Sequence, residues 1–367
     1  MSIGIFDTHV ESNAFDFVKD VLHTTFLSEG QLVKNFEKKL SQELGIINPV
    51  AVNSGTSALH LSLVLANIQK GDEVIIPAQT FVATGLVVIQ QQAKVVFADI
   101  QYETGNICPK SILVKITDKT KAIIVVHWGG NPCDMTEITQ IAKKHNLVVI
   151  EDAAHALGAT YKNKPIGSIS DYTCFSFQAI KHLTTGDGGL LSVLKNDIAK
   201  DAFVKRWFGI DRANALPSIL GERIYDINEL GFKYHLNDYA AALGLANLIN
   251  FSERLAHIQK IARYYNQELN NTAGIQIFTQ ENDRKSAYWL YGFHIEKREQ
   301  FIKMMQAAGI TTSVIHLGID HNSIFGGKQQ GLINQRKFDN TQIHIPIHAK
   351  IDDEKAAYIV ETIKKGW

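Results

Sequence analysis

Apolar positions along the chain follow two different periods. Between residues 12 and 45 the spacing is helical and predicts two helices, the second marked by Leu32, Phe36, Leu40 and Leu44. The stretch "VAVNSGTSALHLSLVLA" then gives a short apolar run, a Ser/Gly/Thr turn and a helix-forming segment. From there short β-rich runs alternate with helical or loop stretches: "DEVIIPA", "AKVVFADI", "KAIIVVHW", "NLVVIEDAAHALG", "DYTCFSF" and "GGLLSV". This alternation predicts an α/β domain whose mostly parallel sheet is flanked by helices. In open sheets of that kind a ligand lies beyond the carboxyl ends of the strands. The Ala- and Leu-rich stretch "NDYAAALGLANLINFSERLAHIQKIARYYNQEL" predicts further helices leading into a smaller α+β domain. Residues 1–250 are therefore read as an N-terminal segment with the large domain, and 251–367 as the small domain. No Pro-rich or Gly/Ser-rich linker, internal repeat or low-complexity tract interrupts this order.

Composition narrows the class of protein. A chain of 367 residues with 45% hydrophobic and 20% charged residues can bury a large core. Lys plus Arg equals Asp plus Glu, so no global basic field exists to hold nucleic acid or an anionic membrane. Three cysteines, Cys108, Cys133 and Cys174, form no C-x-x-C pair, which points to a reducing, cytoplasmic setting. The opening residues do not read as a secretory signal, and no apolar stretch is long enough to span a bilayer.

Four polar constellations fall at the expected ligand edge. The turn "NSGTSAL" opens a helix and leaves backbone N–H groups free for an anion, although Ser54 or Thr56 can equally be an ordinary cap. "VIEDAAHALG" ends a strand in Glu151 and Asp152, with His155 close behind; a buried acid there needs a cation or a donor. Phe81 follows "VIIPAQT" and can cover a planar ligand or simply pack. In "FSFQAIKHLTTGDGG", Lys181 follows a strand carrying Ser176 and precedes three glycines, either as a solvated charge or as a reactive amine. Each reading alone is open. Together they fit pyridoxal 5′-phosphate: a phosphate for the turn and Ser176, a pyridinium nitrogen for Asp152, a ring face for Phe81 and an aldehyde for Lys181. Neither G-x-G-x-x-G after a strand nor a Walker sequence is present, and His127, His145 and His155 match no standard zinc spacing.

These motifs, with "LSEGQLVKNFEKKL", "GDEVIIPAQTFVAT", "VHWGGNPCDM" and "IEDAAHALGATYKNKPIGS", resemble the DegT/DnrJ/EryC1/StrS family over nearly the whole length. The resemblance implies a fold-type I, aspartate aminotransferase-like enzyme that uses pyridoxal phosphate to aminate nucleotide-linked keto sugars, with L-glutamate as donor. It implies that Lys181 bonds to the cofactor as a Schiff base and shuttles the proton. Asp152 would hold the pyridinium, His155 would lie near the phenolic oxygen and Phe81 would stack on the ring. Thr56, Ser57 and Ser176 would bind the phosphate. It further implies a homodimer with shared active sites, chiefly around "GFKYHLNDYAAALGLANL".

The chain departs from the family pattern in that last stretch. Lys233 stands where many relatives carry Asn, and His235 replaces an Arg or Lys; Lys233 can still reach a partner's phosphate as a point charge. "VIHLGIDHNSIFGG" matches loosely, leaving His316 and His321 as candidates for the sugar and nucleotide pocket. "VHWGGNPCDM" resembles relatives that aminate C4 of a 4-keto-6-deoxyhexose, as in making an amino sugar for a surface polysaccharide; Trp128 then borders the sugar or packs in the core. The alternatives are a C3 aminotransferase, a keto-cyclitol aminotransferase and a non-catalytic cofactor-binding module; a dehydratase branch with histidine in place of the lysine is opposed by Lys181.

Overall fold

The computed structural model describes residues 2–24, 26–212 and 214–367. Among these, seven strands form the central sheet: β1 (Pro49–Val52), β2 (Glu73–Pro77), β3 (Lys94–Ala98), β4 (Thr120–Val126), β5 (Val148–Asp152), β6 (Tyr172–Ser176) and β7 (Gly189–Val193). Their order is β1-β7-β6-β5-β4-β2-β3. β7 is antiparallel to both neighbours and every other pairing is parallel, so six carboxyl ends and the amino end of β7 share one edge.

The near-continuous apolar runs of these strands reflect burial on both faces. Side chains alternate across the sheet: Ala51, Ile75, Ile123 and Val125 join one core, while Val50, Val52, Val74, Ile76, Ala122 and Ile124 join the other. Each fully buried Ile, Val or Phe contributes about 1.5–3 kcal/mol. Helices α1 (Ala14–Thr24) and α2 (Gln31–Leu44) lie where the early helical spacing places them. α2 presents Phe36 and Leu40 to the first core. α3 (Gly55–Leu65) and α4 (Ala83–Gln90) follow β1 and β2 directly, so the starts of both helices stand at the ligand edge.

A third core gathers Ile258, Tyr265, Phe293, Phe301, Ile343 and Ile359 around a three-stranded antiparallel sheet of Ile275–Ile277, Tyr291–Ile295 and Gln342–Ile345. Ile3 from the opposite end of the chain joins it through a bridge to Ile310. The helix Phe251–Leu269 serves two cores: Phe251 belongs to the first, Ile258 and Tyr265 to the third. No helix among the described residues is long and apolar enough to cross a membrane.

Candidate active site

The acid at the end of β5 is the best-anchored group of the ligand edge. Asp152 is buried; its Oδ2 accepts from Thr84 Oγ1 at 2.7 Å and its Oδ1 from the Ala154 amide at 3.2 Å. Thr84 lies in the first turn of α4, and its Oγ1 is 2.7 Å from that of Thr80, four positions earlier and just before the helix. Burial raises the Asp152 pKa, while the Thr84 and Ala154 donors and the Lys181 charge oppose that rise. Next to Asp152 in the chain, fully buried Glu151 accepts from His127 Nε2 at 2.8 Å. His127 Nδ1 accepts from the Cys133 amide at 3.1 Å, which leaves the proton on Nε2.

Lys181 sits in the loop leaving β6. Burial among protein atoms lowers its pKa from 10.5 to about 7, and the Asp152 charge pulls in the opposite direction. Its Nζ lies 3.5 Å from the ring centroid of Trp289. His155 stacks on the same indole, with ring centroids 3.9 Å apart and planes 17° apart. Burial, reinforced by the Lys181 charge, holds the His155 pKa well below its usual value, and its buried Nδ1 has no hydrogen-bond partner. A buried polar atom of this kind calls for a ligand or a water.

The third component is the start of α3. Ser54 caps the helix by accepting from the Ser57 amide at 3.0 Å, and Ala58 N–H reaches Ser54 O at 3.1 Å. The amides of Gly55 and Thr56 precede the helix's own bonding, which suits an anion at the positive end of the helix dipole. Glycine is needed where β7 approaches this turn: a Cβ on Gly189 would stand 2.4 Å from Ser54 C. A Cβ on Gly55 would stand 3.0 Å from Ser176 Cβ.

These groups open into one cavity of about 580 Å³. Thr56, Phe81, Asp152, His155, Ser176 and Lys181 all line it. Phe81 is 53% exposed and faces His316 at 5.3 Å between ring centroids. The N-terminal segment contributes Ile5 and Phe6 to the wall, and the C-terminal part contributes Trp289, Ile315 and His316. Ser57 lies off the wall; its hydroxyl donates to Asn53 Oδ1 at 2.6 Å and lies 2.9 Å from Ser54 Oγ. Lys233 is exposed and also off this wall, though its carbonyl accepts from Asn53 Nδ2 at 3.2 Å beside the α3 turn. His321 is absent from the wall and turns its Nδ1 to Gly318 O. Trp128 packs with Ile100, Phe278 and Phe338, its edge against His155. Of its two sequence readings, packing is what the structure shows. Thr84 and Trp289 escape the sequence reading. The Thr80–Thr84 spacing was a visible sign of the first, whereas nothing local announces the second.

A lysine amine, a buried carboxylate and an open helix start around one cavity at the edge of a doubly wound sheet mark a class of enzyme, the fold-type I pyridoxal-phosphate aminotransferases. Residues 9–364 match the family described as the DegT/DnrJ/EryC1/StrS aminotransferase family, and the chain belongs to it. The crystal structure of the sugar aminotransferase CalS13 from Micromonospora echinospora superposes with a TM-score of 0.95 at 30% identity, covering 100% of both chains. The UDP-4-amino-4,6-dideoxy-N-acetyl-beta-L-altrosamine transaminase of Campylobacter jejuni is 32% identical, covering 98% of each chain. Spr1654 of Streptococcus pneumoniae, solved in pyridoxal phosphate and pyridoxamine phosphate forms, matches at 29% identity and TM-score 0.91 over 100% of this chain and 98% of that one. The protein is a pyridoxal-phosphate-dependent sugar aminotransferase acting on nucleotide sugars or related sugars.

Proposed function

We propose that this enzyme moves an amino group from L-glutamate to C4 of a nucleotide-linked 4-keto-6-deoxy sugar, in making an amino sugar for a surface glycan. The observation that carries the reading is the convergence of Lys181, Asp152 and the start of α3 on one cavity. The residues fit pyridoxal phosphate: the partnerless Nδ1 of His155 awaits an acceptor or donor, and Ser54, Gly55, Thr56 and Ser176 line the cavity where a phosphate would meet the start of α3. Gly55, Thr56 and Ser176 would hold that phosphate, with Ser57 bracing the turn from behind. Asp152, oriented by Thr84, would keep the ring nitrogen protonated, and Phe81 would cover the ring.

When bound, the cofactor supplies an aldehyde and an electron-withdrawing ring that makes the donor's α-proton acidic. Lys181 would first carry the cofactor and then, as a free amine, take and return that proton. A pKa near 7 leaves a sizeable neutral fraction at ordinary pH, as a base requires. His155, held neutral, can hydrogen-bond without adding positive charge beside the amine.

Amination at C4 is supported by the "VHWGGNPCDM" stretch and by the 4-amino-4,6-dideoxy sugar in the Campylobacter enzyme's name. We further propose a homodimer working in the cytoplasm, with Lys233 of each subunit offered to the other's phosphate. Exposed apolar side chains, including Phe15, Phe26, Leu216, Ile219, Leu220 and Leu230, suit such an interface.

Borohydride treatment of the cofactor-saturated protein, followed by peptide mapping, should tag Lys181. The Lys181→Ala protein should keep cofactor non-covalently and lose roughly 100-fold to 10,000-fold in turnover, the range for removing a general base. An untagged lysine or an active Lys181→Ala protein would overturn the assignment. Mass spectrometry across UDP-, dTDP- and GDP-linked 4-keto sugars with glutamate then identifies the acceptor; amination only of 3-keto sugars or keto-cyclitols would sink the C4 reading.

A further inference from the structure

Trp289 has no part in the proposed reaction, yet the cavity's working groups meet at its indole. Lys181 Nζ stands 3.5 Å from the ring centroid and His155 stacks at 3.9 Å. Phe6 of the N-terminal segment lies against it at 5.0 Å, with planes 22° apart. The indole N–H donates to Ile180 O at 2.9 Å, so the ring is pinned to the residue just before the lysine. Trp289 is itself buried.

We propose that Trp289 is a positioning residue for Lys181: its ring face seats the ammonium form and holds the amine within reach of the cavity. The inference rests on the reading of Lys181 as the reactive amine. Attraction between a cation and an indole face is strongest where water is excluded. The charged and titratable groups facing Lys181 leave the ring an evident role. Asp152 at the end of β5 attracts the ammonium. His155, the neighbouring His182 and His316 from the C-terminal part all interact with Lys181, and burial lowers the pKa of each. With those imidazoles neutral, Asp152 and the indole are the attractive partners. A long four-carbon stem without such a seat samples many rotamers, and reaction slows when the reacting atom is misplaced.

The test uses fluorinated tryptophan, which drains charge from the ring face and preserves its shape, so packing and solvent exclusion stay in place. In cofactor-free protein, the pH at which Lys181 reaches half-maximal reactivity toward an amine-modifying reagent is read by peptide mass spectrometry. Full ring fluorination should lower that midpoint by about half to one pH unit, the scale of losing a cation–π contact at a half-buried lysine. In a Trp289→Phe background the same incorporation should leave the midpoint unmoved. Should that variant not fold, Trp128→Phe localises the effect instead, since the shift must then persist. An unchanged midpoint in fluorinated wild-type protein, or a shift that survives Trp289→Phe or disappears in Trp128→Phe, overturns the proposal. Failure of borohydride tagging at Lys181 would instead strike the parent reading, which the titration does not use.

Discussion

Thr84 shows how one hydroxyl governs a charged neighbour. Its donation to Asp152 Oδ2 is the leading force opposing the rise that burial imposes on that carboxyl. Thr84→Val removes the donor and leaves a buried carboxylate oxygen unpaired, a loss of about 1–3 kcal/mol. The carboxylate becomes harder to form, so the acid limb of the kcat/KM pH profile should move to higher pH; an unmoved limb would show that Thr84 does not tune Asp152. At this scale the shared placement of Lys181, Asp152 and His155 on one cavity wall was legible because each ends or closely follows a strand at the edge where an α/β sheet places its ligands. Trp289 was not, because its contacts with Lys181, His155 and Phe6 join segments far apart in the chain.

Among the elements, α2 illustrates the same division. Its apolar spacing was plain, and the structure buries Val33, Phe36 and Leu40, with Leu32 and Leu44 packed beside them. Its cap could not be read, since Gly30 offers no side chain. The cap is Asp238, the first residue of the helix Asp238–Leu248, which accepts from the amides of Gly30 at 2.9 Å and Val33 at 3.0 Å. That carboxylate both satisfies orphan donors and meets the positive end of the helix dipole. Asp238→Ala should lower stability by about 1–2 kcal/mol in urea unfolding, the usual range for a lost cap. A change near zero would mean that water replaces the carboxylate without penalty.

For the molecule as a whole, buried histidines set the response to acid. His294 donates to Tyr102 O at 2.8 Å and stacks on the Tyr102 ring, and burial lowers its pKa to about 4. His344, fully buried with Nε2 unpartnered, is lowered to about 3. Both are ordinarily near 6.5, so between that value and 3–4 the unfolded chain binds more protons than the folded one. Their contribution is complete above pH 6.5 and is lost as the pH falls toward 4 and 3, at up to about 1.4 kcal/mol per pH unit for each. The urea midpoint should fall between pH 6.5 and 4.5, and His344→Gln should flatten that slope; an identical slope in the variant would refute the assignment. The large sheet was legible from alternation. The packing of Ile3 into the C-terminal core was not, because a single apolar residue near a terminus has no period to reveal it.

Phe6, Lys181, Trp289 and His316 share one cavity although they lie far apart in the chain. A chain growing on the ribosome would therefore complete its central sheet well before the indole and the last wall of the pocket emerge. Capture of the vitamin in its final geometry must wait until the C-terminal third has been synthesised.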